Sequence, residues 1–285
     1  MPDWVDRNVY CETGTIFQRR CLEAAAVPAV LYAPKLFVSV ATELAQVLPE
    51  SLDHLELGAK TQFWDRRATL NLTAYRTDIT GFQTTVTNGT IGVVRDYLAN
   101  ADVRIEGFEG ELSLRPIDRF SAYSNFAYNG GTFRRFPDAP PPPECTGITA
   151  ATVNLPTNCI GTLAGFKDIS GARFPGISKS SLAWGGELNL PVGKGEAYLG
   201  ADASYRSPFS SNATPSPLFV VDAYSIANLR VGYRKGSNLN VFAWVKNIFA
   251  TKYFEYLSNQ PGNNGLVVGQ FGDPRTFGVT VAKRF

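Results

Sequence analysis

The stretch Ala197-Tyr198-Leu199-Gly200-Ala201-Asp202-Ala203-Ser204-Tyr205-Arg206 decides how this chain is read. Ala197, Leu199, Ala201, Ala203 and Tyr205 fall on one side of an extended backbone. Tyr198, Gly200, Asp202, Ser204 and Arg206 fall on the other. A period of two marks a strand with one apolar and one polar face. The pattern recurs at 221–234, where Val221, Ala223, Ala227, Leu229, Val231 and Tyr233 oppose Asp222, Asn228, Arg230 and Arg234. It recurs again at 239–246, with Leu239, Val241, Ala243 and Val245 against Asn240, Phe242, Trp244 and Lys246. Near the end, Phe277, Val279 and Val281 alternate with Thr276, Gly278 and Thr280.

Working outward, the sequence predicts about nine strands, at roughly 53–64, 67–80, 100–115, 119–132, 176–190, 196–208, 221–234, 239–252 and 274–285. Most exceed the roughly 5–6 residues of a soluble strand. They reach the roughly 9–11 that a tilted strand needs to cross a bilayer. In the third, the apolar positions slip near Gly107 from Val103 and Ile105 to Phe108, Leu112 and Leu114, which predicts a bulge. Asp65-Arg66, Pro116-Ile117-Asp118, 191–195 and 235–238 read as tight turns, whereas 81–99, 133–175, 209–220 and 253–273 read as long links. Short on one side and long on the other is the pattern of an antiparallel up-and-down transmembrane β-barrel, with brief periplasmic turns and extended outer loops. On that parity the last strand runs inward and ends at Phe285. Tyr75, Tyr128, Phe133, Tyr205, Phe209 and Tyr253 then gather near outer strand ends. Phe63, Trp64, Phe120, Tyr233 and Phe285 gather near inner ends. Amphipathic rings in two such bands are expected to form interfacial girdles. The competing fold is a soluble sandwich. Strand length, turn asymmetry and girdles together favour the membrane.

Composition agrees. The 285 residues carry a net charge of +2 from 27 basic and 25 acidic side chains, with no basic run suited to nucleic acid. Charged residues are 18% and aromatics 12% of the chain, so much of its apolar surface need not meet water. No run approaches the about 20 apolar residues of a transmembrane helix. Arg19, Arg20 and the apolar run 24–33 imitate a signal peptide, but Glu23 interrupts them far from Met1, and no export signal is expected in the sequence as given. Cys11, Cys21, Cys145 and Cys159 allow three pairings. A Cys145–Cys159 bridge would suit an oxidising compartment, and four free thiols are the alternative. With no CxxC pair and no His near a Cys, no metal site is expected. His54 is the single histidine, and no motif places a nucleophile and an acid beside it, so neither catalysis nor a cofactor is expected.

Several stretches resemble a known family. Leu55-Glu56-Leu57-Gly58-Ala59-Lys60, followed by Phe63-Trp64-Asp65-Arg66-Arg67 and Leu70-Asn71-Leu72, is similar to a strand–turn–strand signature of the C-terminal barrel of TonB-dependent outer-membrane receptors. So are Ile105-Glu106-Gly107-Phe108-Glu109-Gly110-Glu111-Leu112, Phe174-Pro175-Gly176-Ile177-Ser178-Lys179, and Val245-Lys246-Asn247-Ile248-Phe249 with Lys252-Tyr253. The stretch 272–285 resembles the family's last strand, although Lys283 stands where an aromatic is frequent. Each motif is weak alone; the ordered set over residues 49–285 is specific. Residues 1–48 do not resemble the family and stay unassigned, and neither plug nor TonB box is recognised. The family's barrel has about 22 strands around a plugged lumen, so a truncated barrel part is expected.

The resemblance implies energised uptake of a scarce nutrient such as a ferric siderophore, at the bacterial outer membrane. The implied partners are membrane lipid, the barrel-assembly machinery, a small-molecule metal chelate, and TonB acting only through a plug. Phe277, Val279, Val281 and Phe285 would form the assembly signal. Tyr256, Asn259, Gln260, Asn263 and Asn264 in one outer link, and the link holding Cys145 and Cys159, are the candidate ligand-binding parts, with solvated surface as the alternative. Glu109, Glu111, Asp202, Arg230 and Lys246 alternate with apolar residues and are expected to face the lumen, where they would meet a plug or water. Arg or Lys on the lipid face would cost roughly 2–4 kcal/mol at midplane. The rival readings are a passive pore and a remnant without function; a barrel enzyme is disfavoured.

Overall fold

The computed structural model describes residues 19–21, 49–90, 93–145, 159, 167–213, 215–236, 238–259 and 266–284. The strands are β1 (Arg19–Cys21), β2 (Ser51–Phe63), β3 (Ala68–Thr90), β4 (Val93–Ile117), β5 (Phe120–Arg135), β6 (Ser180–Val192), β7 (Gly195–Arg206), β8 (Phe209–Ser210), β9 (Val220–Val221), β10 (Tyr224–Lys235), β11 (Leu239–Lys246), β12 (Phe254–Asn259), β13 (Val267–Phe271) and β14 (Thr276–Lys283). One sheet runs in the order β1-β2-β3-β4-β5-β6-β7-β10-β11-β14, antiparallel at every step. Nine of its strands are long and follow one another up and down; β1 contributes three residues at one edge. The pairs β8–β9 and β12–β13 are small hairpins inside the links.

At one end the connections are tight. Trp64, Asp65 and Arg66 all adopt left-handed φ, at 55°, 51° and 64°, to turn β2 into β3. Gly193 and Gly236, at φ of 58° and 55°, serve the β6–β7 and β10–β11 turns, where a residue without Cβ meets least resistance.

Register divides the sheet into two faces. Leu57, Ala74, Phe108 and Tyr128 stand in one cross-strand row, and Leu188, Leu199, Val231, Ala243 and Val279 in another. This apolar face lies bare: Leu57 is 67% and Phe277 80% exposed. The other face carries rows such as Lys60, Asn71, Glu111 and Asn125. So large an uncovered apolar face, opposite a polar one, is a surface that water tolerates poorly.

Three sequence expectations need correction. The 81–99 link is a continuation of the β3–β4 ladder to the Thr90–Val93 pair, with a register shift between Ile79 and Phe82 at Gly81 (φ 73°). Polar residues hid it, because a hairpin in water needs no apolar face. The slip near Gly107 is no bulge: Gly107 pairs in unbroken register with Tyr75 and Asn129. Instead the polar face itself turns apolar there. Val103 and Phe133, 1% and 2% exposed, lie beneath the link after β5 in a core with Ala101, Phe136, Ala139 and Ile169. Finally, the outer girdle is thinner than expected. Phe133 lies in that core, Tyr75 donates to Asn129 Oδ1 on the polar face (2.8 Å), and Phe209 is buried beneath the Arg206 guanidinium, 3.7 Å from its ring centre. Tyr128 and Tyr205 remain in the apolar face.

Candidate functional site: the polar face and its loop cover

Alternation along β7, β10 and β11 aims Asp202, Asn228 and Lys246 to one side, and cross-strand register sets Asp202 opposite Asn228. Asn228 Nδ2 donates to Asp202 at 2.6 Å. Arg230 reaches Asp202 at 3.5 Å and Glu187 at 3.2 Å. Arg234 also binds Glu187, and approaches Glu196 at 3.2 Å while lying over the Tyr198 ring. Gly200 makes room for this: a Cβ there would stand 2.6 Å from Arg230 Nε. Three carboxylates and two guanidiniums thus form one network near the tight-turn end, each charge answered by another. Glu109 and Glu111 share this face: Glu109 pairs with Thr73 and Ala127, and Glu111 accepts from Asn71 Nδ2 at 3.1 Å. All five residues singled out from sequence therefore lie on one face. Glu187 and Arg234, the centre of the network, were missed; Arg234 sat in a recognised polar register, but Glu187 is flanked by Gly186 and Leu188, where no such signal stood out.

Further toward the long links, a shallow recess on the polar face is bordered by Glu109, Glu111, Asn125, Ser204, Arg206 and Tyr224. Tyr224 stacks on Tyr253 with ring centres 4.3 Å apart. Burial raises the Tyr253 hydroxyl pKa above its ordinary value, helped by nearby Glu255. Above the recess the links hold one another. Cys145 and Cys159 are joined as a disulfide, both buried. Next to it, Glu144 accepts from Ser216 Oγ at 2.9 Å, tying the link after β5 to that after β7. Ser211 Oγ donates to Leu257 O (2.6 Å) and accepts from Leu257 N (3.1 Å), tying the latter to the β12–β13 hairpin. The Ser170 hydroxyl and backbone N–H, at 2.6 and 2.8 Å, hold the Asp168 carboxyl below its ordinary pKa at the foot of the first link.

Asn247, 3% exposed and at φ 49°, ends β11. Its side chain donates to Thr251 O and Asp273 O and accepts from Thr251 N, and its backbone N–H donates to Asn228 Oδ1. It joins the ionic face to both stems of the last link, which explains the Asn in the Val245–Phe249 motif.

The remaining sequence candidates scatter. Tyr256 is exposed in β12 opposite Gln270, and Asn259 closes that strand opposite Val267. Gln260, Asn263, Asn264 and Phe285 lie outside the described residues. Phe277, Val279 and Val281 stand on the apolar face of β14, whose other edge carries no partner strand among the described residues. His54 contacts Thr77 Oγ1 at 2.8 Å and Glu56 at 3.4 Å, away from the ionic network.

Sequence comparison agrees with this architecture. The family described as TonB dependent receptor-like, beta-barrel, matches residues 35–248, well over half of the chain. The chain belongs to the TonB-dependent receptor β-barrel family. Among solved structures, it is similar to the ferric yersiniabactin uptake receptor FyuA of Yersinia pestis (TM-score 0.58, 15% identity, 82% of this chain and 30% of that one). It is also similar to the ferric-catecholate import receptor Fiu of E. coli K12 (0.56, 18%, 85% and 28%) and to the copper transporter OprC (0.57, 16%, 83% and 32%). The chain spans about 30% of the length of these relatives. Proteins of this family are outer-membrane proteins.

Proposed function

We propose that this chain is the C-terminal barrel part of an outer-membrane transporter that takes up a scarce nutrient, such as a ferric siderophore or another metal chelate, with energy delivered by TonB through a plug domain. The barrel part is taken as residues 49–285. The observation that carries the reading is the polar face: a charged network spread over β6, β7 and β10 beneath three links bonded in series. On this reading the polar face is the lumen, Glu109, Glu111, Asp202, Arg230 and Lys246 face a plug or water, and the recess by Tyr224 and Arg206 lies on the ligand's path. Tyr256 and the residues of the β12–β13 link are the outer ligand contacts. No catalytic role enters.

An immunoblot of fractionated source cells, with an antibody against residues 239–285, tests it. A band well above 31.1 kDa in the outer membrane is the expected result, and iron-chelate uptake is then to be measured with and without the gene. A band at 31.1 kDa outside that membrane would instead favour a remnant.

A further inference from the structure

On the apolar face of β3, β4 and β5, lipid-suited residues give way to charge. Phe108 and Tyr128 form the last apolar row, with Phe126 and Leu182 below them. The next row is Leu55, Arg76, Glu106 and Gly130, and the one after it is Asp53, Asp78, Arg104, Thr132 and Arg173. Two to four residues past Tyr128 is roughly 7–13 Å along the strand, less along the membrane normal because strands tilt. That is the depth of the headgroup layer, about 5–8 Å thick on each side of the hydrocarbon.

A shallow recess sits here, bordered by Arg76, Glu106, Tyr128, Thr132, Arg173 and Lys179, with Gly130 at its base. A Cβ at Gly130 would meet nothing nearer than Glu106 O at 3.7 Å, so the base is open. Arg76 and Arg104 both bind Asp78, at 2.9 and 2.6 Å, which fixes their guanidiniums in place. Lys179 Nζ lies 5.4 Å from the Tyr128 ring centre. Arg173 and Lys179 are exposed, and among the described residues neither has a carboxylate partner. The recess therefore sets two cations that have no carboxylate partner among the described residues, Arg173 and Lys179, beside the Asp78-bound Arg76 and the carboxylate of Glu106, directly above a column of rings.

We infer that this recess binds the phosphate headgroup of an anionic outer-leaflet lipid, with the acyl chains lying along Phe108, Phe126 and Leu182. Guanidinium and ammonium groups recognise phosphate oxygens, and the apolar column below supplies the surface for the tails. A free inorganic anion would use only the upper half of this arrangement. The inference rests on the membrane reading proposed above.

The test is native mass spectrometry of the full chain, extracted in detergent in whatever assembly it occupies in its membrane. It is offered an equimolar mixture of phosphatidic acid and phosphatidylcholine, with or without excess inorganic phosphate. The expected result is preferential retention of phosphatidic acid that inorganic phosphate does not displace. In a chain carrying Arg173→Gln and Lys179→Gln together, retention falls by at least roughly tenfold. Equal retention by this variant, while its mobility in unheated gels matches wild type, overturns the inference. Displacement by inorganic phosphate also overturns it, in favour of a free-anion site. A chain found only outside the outer membrane defeats the membrane reading itself, whereas a membrane-embedded chain indifferent to the substitutions defeats this inference alone.

Discussion

Leu229 and Arg230 are neighbours in sequence with opposite surroundings. Leu229 packs in the apolar row between Ala201 and Val245, and Arg230 binds Glu187 and Asp202 across two strands. Putting Arg at 229 places an unanswered charge against lipid, at a cost of roughly 2–4 kcal/mol near midplane. Arg230→Ala removes one member of a network in which Glu187 keeps Arg234. Leu229→Arg is therefore expected to lower the yield of membrane-assembled protein, read as unheated gel mobility, far more than Arg230→Ala does. Equal damage from both would sink the assignment of faces. Glycine matters at this scale through close approach: Gly200→Ala is expected to push Arg230 aside and cost more than Ala203→Gly in the same strand, as read by urea midpoint.

At the scale of elements, the link after β5 owes its shape to a small core of its own. Phe133 packs 5.2 Å from both Phe136 and Phe174, and the backbone of 169–174 bonds back to Gly131, Phe133 and Phe136. Phe133→Ala is expected to cost about 3–5 kcal/mol of local order, seen as limited proteolysis within 136–179 while the strands stay protected. Reducing the Cys145–Cys159 bridge, which closes a separation of 14 residues, releases a restraint worth about 3 kcal/mol. Cleavage near 145–160 is then expected to accelerate. Because Glu144 holds Ser216 and Ser211 holds Leu257, slower loosening should follow in the other two links. Uniform protection after reduction would mean that the hydrogen bonds alone keep the cover closed.

For the whole molecule, the sheet's two faces give Trp184 and Trp244 different surroundings. Trp184 stands 41% exposed on the apolar face, whereas Trp244 lies on the polar face, donating to Thr280 Oγ1 at 3.2 Å. In vesicles of brominated phosphatidylcholine, Trp184→Phe is expected to remove much of the quenchable emission and Trp244→Phe little of it. The opposite order would exchange the lipid and lumen faces. The sheet's edges matter at the same scale. β14 and most of β2 each present one unpaired side among the described residues, and hydrocarbon leaves no water to satisfy such groups. On the membrane reading proposed above, neighbouring strands of a barrel of about 22 would satisfy these edges.

The sequence by itself determined the nine long strands, their antiparallel succession and the shared face of the five charges singled out from it. Side-chain direction along a strand is a local property with a period of two, so residues such as Asp202 and Arg230 reveal their side without knowledge of their neighbours. Only the tertiary structure decided which of those charges meet. Glu187, Arg230 and Arg234 come together across β6, β7 and β10 through register, from positions 43 and 47 residues apart. It also decided that Val103 and Ile105 face a folded link rather than lipid, because apolar residues look the same in sequence whichever apolar surface covers them. The bonds between links were equally unreadable: a Ser and a Glu 72 residues apart carry no mark of each other until the strands bring their loops to one end of the sheet.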